Sequence, residues 1–324
     1  MGIAIFALNK LLEESCRQPF EGALLELGVQ DIHFTCDDLQ RASDEYGVKL
    51  TDFSNDLSQK IEFQEKKYIS NKSLYQALGF SSSTSVDNSA FEGADVTFDM
   101  NMNELPERLI GAFDVILDSG TIEHIFHIPN VLRNIVRALK PNGRIIHFTP
   151  SSNHTDHGFY MFSPTLFWDY YTANEFTIES MQWFRYTPQH DSEPWKFTDY
   201  RPGCLAAISY GGLDNGMYGV FCVVTKTDRS TFDRIPRQGA YTLKWQSEHE
   251  RILIETKTNC AVDRWKRENA NIIIYGAGEH TKMLLNTTRL GSAKIIGIVD
   301  KDVTKHGSHL NGFLVEAPET TTPG

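Results

Sequence analysis

Short continuous apolar runs and three-to-four-residue apolar repeats follow one another along the chain, and their succession sets out its elements. Ala23-Leu24-Leu25-Glu26-Leu27 is an apolar run closed by Gly28, a buried strand entering a tight turn. Thr35, three residues before Asp38, marks a helix start. Residues 37–79 are mostly polar and helix-compatible. Thr84–Asp87 reads as a second strand, Ala94–Phe98 as a third ending at Asp99, and Phe113–Asp118 as a fourth. Ile128, Val131, Leu132, Ile135, Val136 and Leu139 then recur on one helical face, with Pro129 in the first turn. Lys140-Pro141-Asn142-Gly143 stops that helix, and Arg144–Phe148 is a fifth strand.

Beyond this point the pattern turns aromatic. Phe159–Tyr171 contains a helix after Pro164, and Phe176–Phe184 and Gly219–Thr225 read as strands. Residues 186–217, rich in Pro, Gly, Asp and Tyr, read as an extended surface loop, and 228–247 as a linker before a charged helix over 248–268. A second unit starts at Asn271: strand Ile272–Tyr275, turn Gly276-Ala277-Gly278, helix Glu279–Leu290, strand Ile295–Val299 and an apolar stretch at Phe313–Val315. Strands separated by helices predict an α/β, doubly wound, mostly parallel sheet followed by a small C-terminal βαβ half-domain. The expected division is a helix at 1–20, a main domain at 21–227, linker and charged helix at 228–268, and the half-domain at 269–324.

Composition adds exclusions. The 324 residues carry a net charge of −11, which opposes a general footprint for nucleic acid. The acidity is uneven, with 20 basic and 32 acidic residues over 1–240 against 11 and 10 over 241–324. Five scattered cysteines without a C-x-x-C pair read as reduced thiols of a cytoplasmic protein. Met1–Cys16 is interrupted by Lys10, Glu13 and Glu14 and so reads as a helix, not a leader. No apolar stretch is long enough to predict a membrane span.

In such a sheet ligands bind beyond the C-terminal strand ends. Those ends carry Glu26, Gly28, Asp87, Asp99 and Asp118-Ser119-Gly120. A glycine there admits a ligand close to the backbone, and a carboxylate such as Asp87 suits a ribose diol. The polar loop after the fifth strand, Ser151–Tyr160, holds His154 and His157, residues suited to abstracting a proton. His154 and His157, like His124 and His127, are three apart, yet no carboxylate or cysteine completes a metal site, and none is expected.

Phe113–Pro150, with a strand ending in an acid, Glu123-His124 opening a helix and Leu139-Lys140-Pro141-Asn142-Gly143, resembles the class I S-adenosylmethionine-dependent methyltransferases. The resemblance extends over about residues 20–227. It implies a Rossmann-like methyltransferase fold, S-adenosylmethionine as cofactor, and methyl transfer to a small-molecule or sugar-precursor acceptor. It implies Glu26 at the methionine amine, Asp87 at the ribose, Asp99 and Met100 at the adenine, and Asp118 and Ser119 at the transfer site. Where the family carries an acid and three glycines, Glu26-Leu27-Gly28-Val29-Gln30-Asp31 supplies the acid and one glycine. Gly28 also lies 59 residues before Asp87, where about 20 is usual for this unit. Either some 40 residues are inserted or the first strand lies elsewhere. The missing glycines leave a second reading, a non-catalytic protein of this fold that binds a nucleotide or nucleotide sugar.

Tyr275-Gly276-Ala277-Gly278-Glu279-His280-Thr281 follows a strand and opens a helix, which aims backbone N–H groups at a phosphate. Asp300, 22 residues after Gly278, has the spacing of a ribose-binding acid. This segment resembles the C-terminal Rossmann-like half of some sugar C-methyltransferases and the N-terminal unit of some sugar acyltransferases. It makes Gly276, Gly278 and Asp300 candidate nucleotide contacts.

Overall fold

The protein is described from a computed structural model covering residues 2–189 and 193–318. It forms two compact units, residues 1–239 and 240–324.

The first unit is built on an eight-stranded sheet: β1 (Ala23–Leu27), β2 (Ser82–Asp87), β3 (Val96–Thr97), β4 (Phe113–Ser119), β5 (Leu139–Ser152), β6 (Thr177–Tyr186), β7 (Lys196–Asp199) and β8 (Met217–Thr225). The strand order is β3-β2-β1-β4-β5-β8-β6-β7. The β1–β5 pairings are parallel, and β6, β7 and β8 add antiparallel pairings. Side chains alternate across the sheet. Leu25, Leu27, Ile116 and Ile145 join one core with α5 (Ile128–Ala138) and α6 (Pro164–Ala173). Leu24, Val115, Leu117 and Ile146 join the other with α1 (Ile5–Arg17), α2 (Cys36–Tyr46) and α4 (Asn71–Leu78). Both faces are covered, as a parallel sheet requires.

Local signals explain the helices. The Thr35 hydroxyl accepts from the Asp38 N–H while the Asp38 carboxylate accepts from the Thr35 N–H, a full capping box for α2. In α5 the residues at the predicted repeat are buried, and Pro129 occupies the first turn, where its missing N–H costs nothing. A buried ion pair ties α1 to β5: Arg144 Nη1 donates to Glu14 Oε1 at 2.6 Å and to the Gln18 carbonyl at 2.8 Å.

The long gap after Gly28 is an insertion, since β1 and β2 pair in parallel with Glu26 opposite Ser85. The extra residues form α3 (Ile61–Glu65), α4 and their connections. Other expectations need correction. Lys140–Gly143 lies within β5, because Leu139 still pairs with Phe113 across a register shift and Asn142 takes a positive φ of 61°. Residues 186–217 are more than a loop: β7 pairs antiparallel with β6, and Phe197 packs against the second core. Four residues between proline and aspartate clusters are too few to show a period. The charged helix α7 (Gly239–Arg267) begins inside the expected linker.

In the second unit α7 is followed by β9 (Ile272–Tyr275), α8 (Glu279–Thr287), β10 (Ile295–Val299), β11 (His309–Leu310) and β12 (Phe313–Glu316). These strands form a four-stranded sheet in the order β11-β12-β10-β9, parallel except for the β11–β12 hairpin.

Candidate functional site

The sheet reverses its order at β1, where β2 lies on one side and β4 on the other. A crevice opens beyond strand ends at such a switch. Here it is a cleft of 260 Å³ lined by Leu27–Gln30 after β1, Val86–Asn88 after β2, Phe98–Asn101 after β3, and Gly120, Thr121, His124 and Ile125 after β4.

The loop after β1 is held by its own groups. Gly28 takes a φ of 69°, and a Cβ there would come within 2.8 Å of Thr121 Oγ1. Thr121 Oγ1 and Gln30 Nε2 both donate to the Leu27 carbonyl, at 2.7 Å each. Gln30 Oε1 is buried and has no hydrogen-bond partner. Asp87 Oδ1 accepts from the Ser89 N–H, and Asp99 Oδ1 accepts from the Asn101 backbone and side chain. No bond is seen to either residue's Oδ2 among the described residues. With Glu92 also at the cleft, its charge is negative and its free groups are acceptors. Such a site favours a cationic ligand bearing hydroxyls over a phosphate.

Glu26 lies below this loop, 1% exposed, and does not line the cleft. Tyr75 Oη, Asn71 Nδ2 and the Gln30 N–H all donate to its carboxylate. Burial nevertheless pushes its carboxyl up to about 8, with those bonds opposing the shift.

Asp118 is also sealed. Its Oδ1 accepts from the Thr121 and Ile122 N–H groups, and its Oδ2 lies 2.7 Å from His147 Nδ1. His147 Nε2 lies 2.7 Å from Tyr171 Oη. Burial raises the Tyr171 phenol well above its ordinary value, so it keeps its O–H beside the ring. Sequence reasoning missed this chain, whose members come from β4, β5 and α6. It anchors the 120–124 turn and contacts no cleft.

That turn carries Glu123 and His124. Glu123 is fully buried, and neither of its carboxylate oxygens has a hydrogen-bond partner. Its Oε1 stands 3.6 Å from His157 Nε2 and 3.9 Å from His124 Nε2. Burial raises the Glu123 carboxyl, and the charge of Asp118 adds to the effect. Burial lowers His124 and His157, which favours the neutral form of both imidazoles. His154 is 9% exposed, with Nε2 3.2 Å from Tyr186 Oη.

In the second unit Gly276 has a φ of 104°, and neither it nor Gly278 has a neighbour where a Cβ would stand. The N–H of Ala277 between them donates to Asp300 Oδ2 at 2.7 Å. Lys305 Nζ and the Asp302 N–H also bond Asp300 and hold its carboxyl well below the usual range.

Two family models match the chain: residues 69–198 match a methyltransferase domain, and residues 268–322 match the N-terminal part of C2185-like proteins. The match to a methyltransferase domain lies within the first unit, on its doubly wound, mostly parallel sheet. The match begins after the Gly28 loop, so the atypical β1 loop lies outside it. Solved structures similar to the chain include phosphoethanolamine N-methyltransferase 2 from Haemonchus contortus, crystallised with phosphomonomethylethanolamine and S-adenosylhomocysteine. It is 15% identical at a TM-score of 0.36, over 68% of this chain and 53% of that one. The chain thus spans about half the length of that enzyme. The N-methyltransferase NodS from Bradyrhizobium japonicum is 13% identical at a TM-score of 0.35, over 68% and 93% of the two chains. No curated protein matches the sequence. No helix among the described residues is long and apolar enough to cross a membrane.

Within the first unit the structure gathers Gly28, Asp87, Asp99 and Met100 around one cleft. Glu26, Asp118 and Ser119 do not line it; all three are buried, Glu26 and Asp118 among their own partners. Neither His154 nor His157 lines it either, whereas His124 does. The histidines meet as His124 with His157, ring centroids 5.0 Å apart, and not only as pairs three apart in sequence. The aromatic cap largely packs on itself: Trp183 stacks on Tyr218 at 4.3 Å and Trp195 on Phe184 at 4.9 Å. Phe126 and Phe159 are exposed and meet edge to face at 5.6 Å. Asp300 serves the glycine turn, which takes up one of the amides expected to meet a phosphate.

Proposed function

We propose that the methyltransferase domain binds S-adenosylmethionine in the cleft and transfers its methyl group to a small-molecule or sugar acceptor. The observation that carries this reading is the pair of acceptors at the strand ends to which no bond is made among the described residues, Asp87 Oδ2 and Asp99 Oδ2. A ribose diol and an ammonium group both need acceptors, and a sulfonium is favoured by negative surroundings. Asp87 would hold the ribose. Asp99, with Phe98 and Met100, would hold the adenine. The bound cofactor supplies an electrophilic methyl group. The protein then places the acceptor in line with it and excludes water. The exposed rings of Phe126 and Phe159, close in sequence to His124 and His157, suit a sugar or aromatic acceptor.

Calorimetric titration with S-adenosylmethionine and S-adenosylhomocysteine tests the reading. Micromolar binding is expected, weakened at least tenfold by Asp87→Ala. The fold should be unaffected, because the Asp87 side chain makes one local bond, to the Ser89 N–H. A folded protein that binds neither ligand, or a variant that binds as well as the parent, refutes it.

A further inference from the structure

We propose that Glu123, His124 and His157 form a binding site for one divalent transition-metal ion of the zinc class. Two imidazoles and one carboxylate are a donor set that suits such ions and not calcium or magnesium. Their ligand atoms all lie within 4.8 Å of one another. Three ligands held about 2.1 Å from a shared tetrahedral ion stand roughly 3.4 Å apart. The 3.6 and 3.9 Å separations from Glu123 Oε1 therefore need only small side-chain rotations to close on an ion.

The second observation is Glu123 itself. Both of its oxygens are buried and unpartnered. Buried polar groups are otherwise bonded almost everywhere in folded proteins. His157 Nε2, at 3.6 Å, is too far for a hydrogen bond. A cation shared with the two histidines satisfies the carboxylate.

The backbone prepares the site. The Glu123 carbonyl accepts from the N–H groups of Phe159 and Tyr160, which stitches the 154–160 loop to the 122–124 turn. Gly158 makes the approach possible, since a Cβ there would come within 3.0 Å of the Glu123 carbonyl oxygen. Asp118 holds the same turn from below through the Thr121 and Ile122 N–H groups. His154 is not a ligand, because Tyr186 and the Tyr218 backbone already engage its ring. Three protein ligands leave at least one coordination position for water or an oxygen donor. His124 lines the cofactor cleft as well, so the ion sits at the rim of that cleft.

The experiment uses the full chain, dialysed against a chelator and then titrated with Zn²⁺ by calorimetry and with Co²⁺ by visible absorption. One equivalent is expected to bind at micromolar concentration or below. Glu123→Gln and His157→Ala should each weaken binding at least tenfold and abolish the Co²⁺ bands. Circular dichroism and thermal melts confirm that each variant is folded. Glu123→Gln preserves shape, and His157 is partly exposed, so a loss in both variants reports on ligation. Absence of Zn²⁺ and Co²⁺ binding at millimolar ion overturns the proposal. So does binding that survives unchanged in both variants.

Discussion

Asp118 and Glu123 lie five residues apart at the end of one strand, both carboxylates are fully buried, and both stand near histidine. Their surroundings differ in kind. Asp118 receives two backbone N–H groups and the His147 ring at 2.7 Å, with Tyr171 completing the chain. The Glu123 carboxylate receives no hydrogen bond among the described residues. A buried acid with all its bonds made is part of the scaffold. A buried acid without them, beside two half-exposed imidazoles, is a place prepared for something else. Burial alone, or the residue pair alone, does not separate the two cases; the partners do.

Removing the scaffold member should give the largest effect. Asp118→Ala leaves His147 and two amides without an acceptor, and a loss of about 3–5 kcal/mol is expected in urea denaturation. A loss below about 1 kcal/mol would erase the distinction from Glu123. Glu26 extends the comparison, since it has donors and is still raised to about 8 from an ordinary 4.5. The folded state holds the neutral acid over a range where the unfolded chain ionises. Stability therefore falls as pH rises from about 4.5 to about 8 and stays level above that. Glu26→Gln removes its share of that slope, on the order of a few kcal/mol, and leaves the share of Glu123, whose carboxyl burial also raises to about 8. Denaturation curves at pH 5 and pH 8 for the two proteins check the sign, and parallel pH dependences would contradict it.

Gly28→Ala should cost about 1–2 kcal/mol for the left-handed backbone. It should also weaken S-adenosylmethionine binding, because the new methyl meets Thr121 Oγ1 at the cleft wall. A variant with unchanged melting and affinity would show that the loop can shift. The smallest effect belongs to Glu123→Gln. With no bonds to lose, the metal-free protein should keep its stability within about 1 kcal/mol below about pH 4.5, where the acid is largely protonated in both states. A loss as large as that of Asp118→Ala would mean that Glu123 is scaffold too.

Much of the architecture was legible because its signals are local. Ala23–Leu27, Phe113–Asp118 and the apolar face of Ile128–Ala138 each declare themselves within a few residues, and Thr35 with Asp38 announces a helix start. The strand-end acids Asp87 and Asp99 followed from the fold class, since a parallel sheet puts its strand ends at the ligand. The β7 strand was hidden, because four residues cannot display a period and its pairing partner β6 is set by tertiary packing.

The order of strands and helices, and the end of the sheet at which a ligand binds, are consequences of patterning along the chain. Which acids line the cleft there is not. Glu26 and Asp118 are the same kind of strand-end acid as Asp87, and only packing decides that Tyr75, Asn71 and His147 enclose the first two. Likewise Glu123 and His157 are separated by 34 residues, and no spacing rule joins them. They meet because two backbone hydrogen bonds from Phe159 and Tyr160 close one loop onto another where Gly158 leaves room. Periodicity is a property of neighbours in sequence, whereas hydrogen-bond satisfaction is a property of neighbours in space.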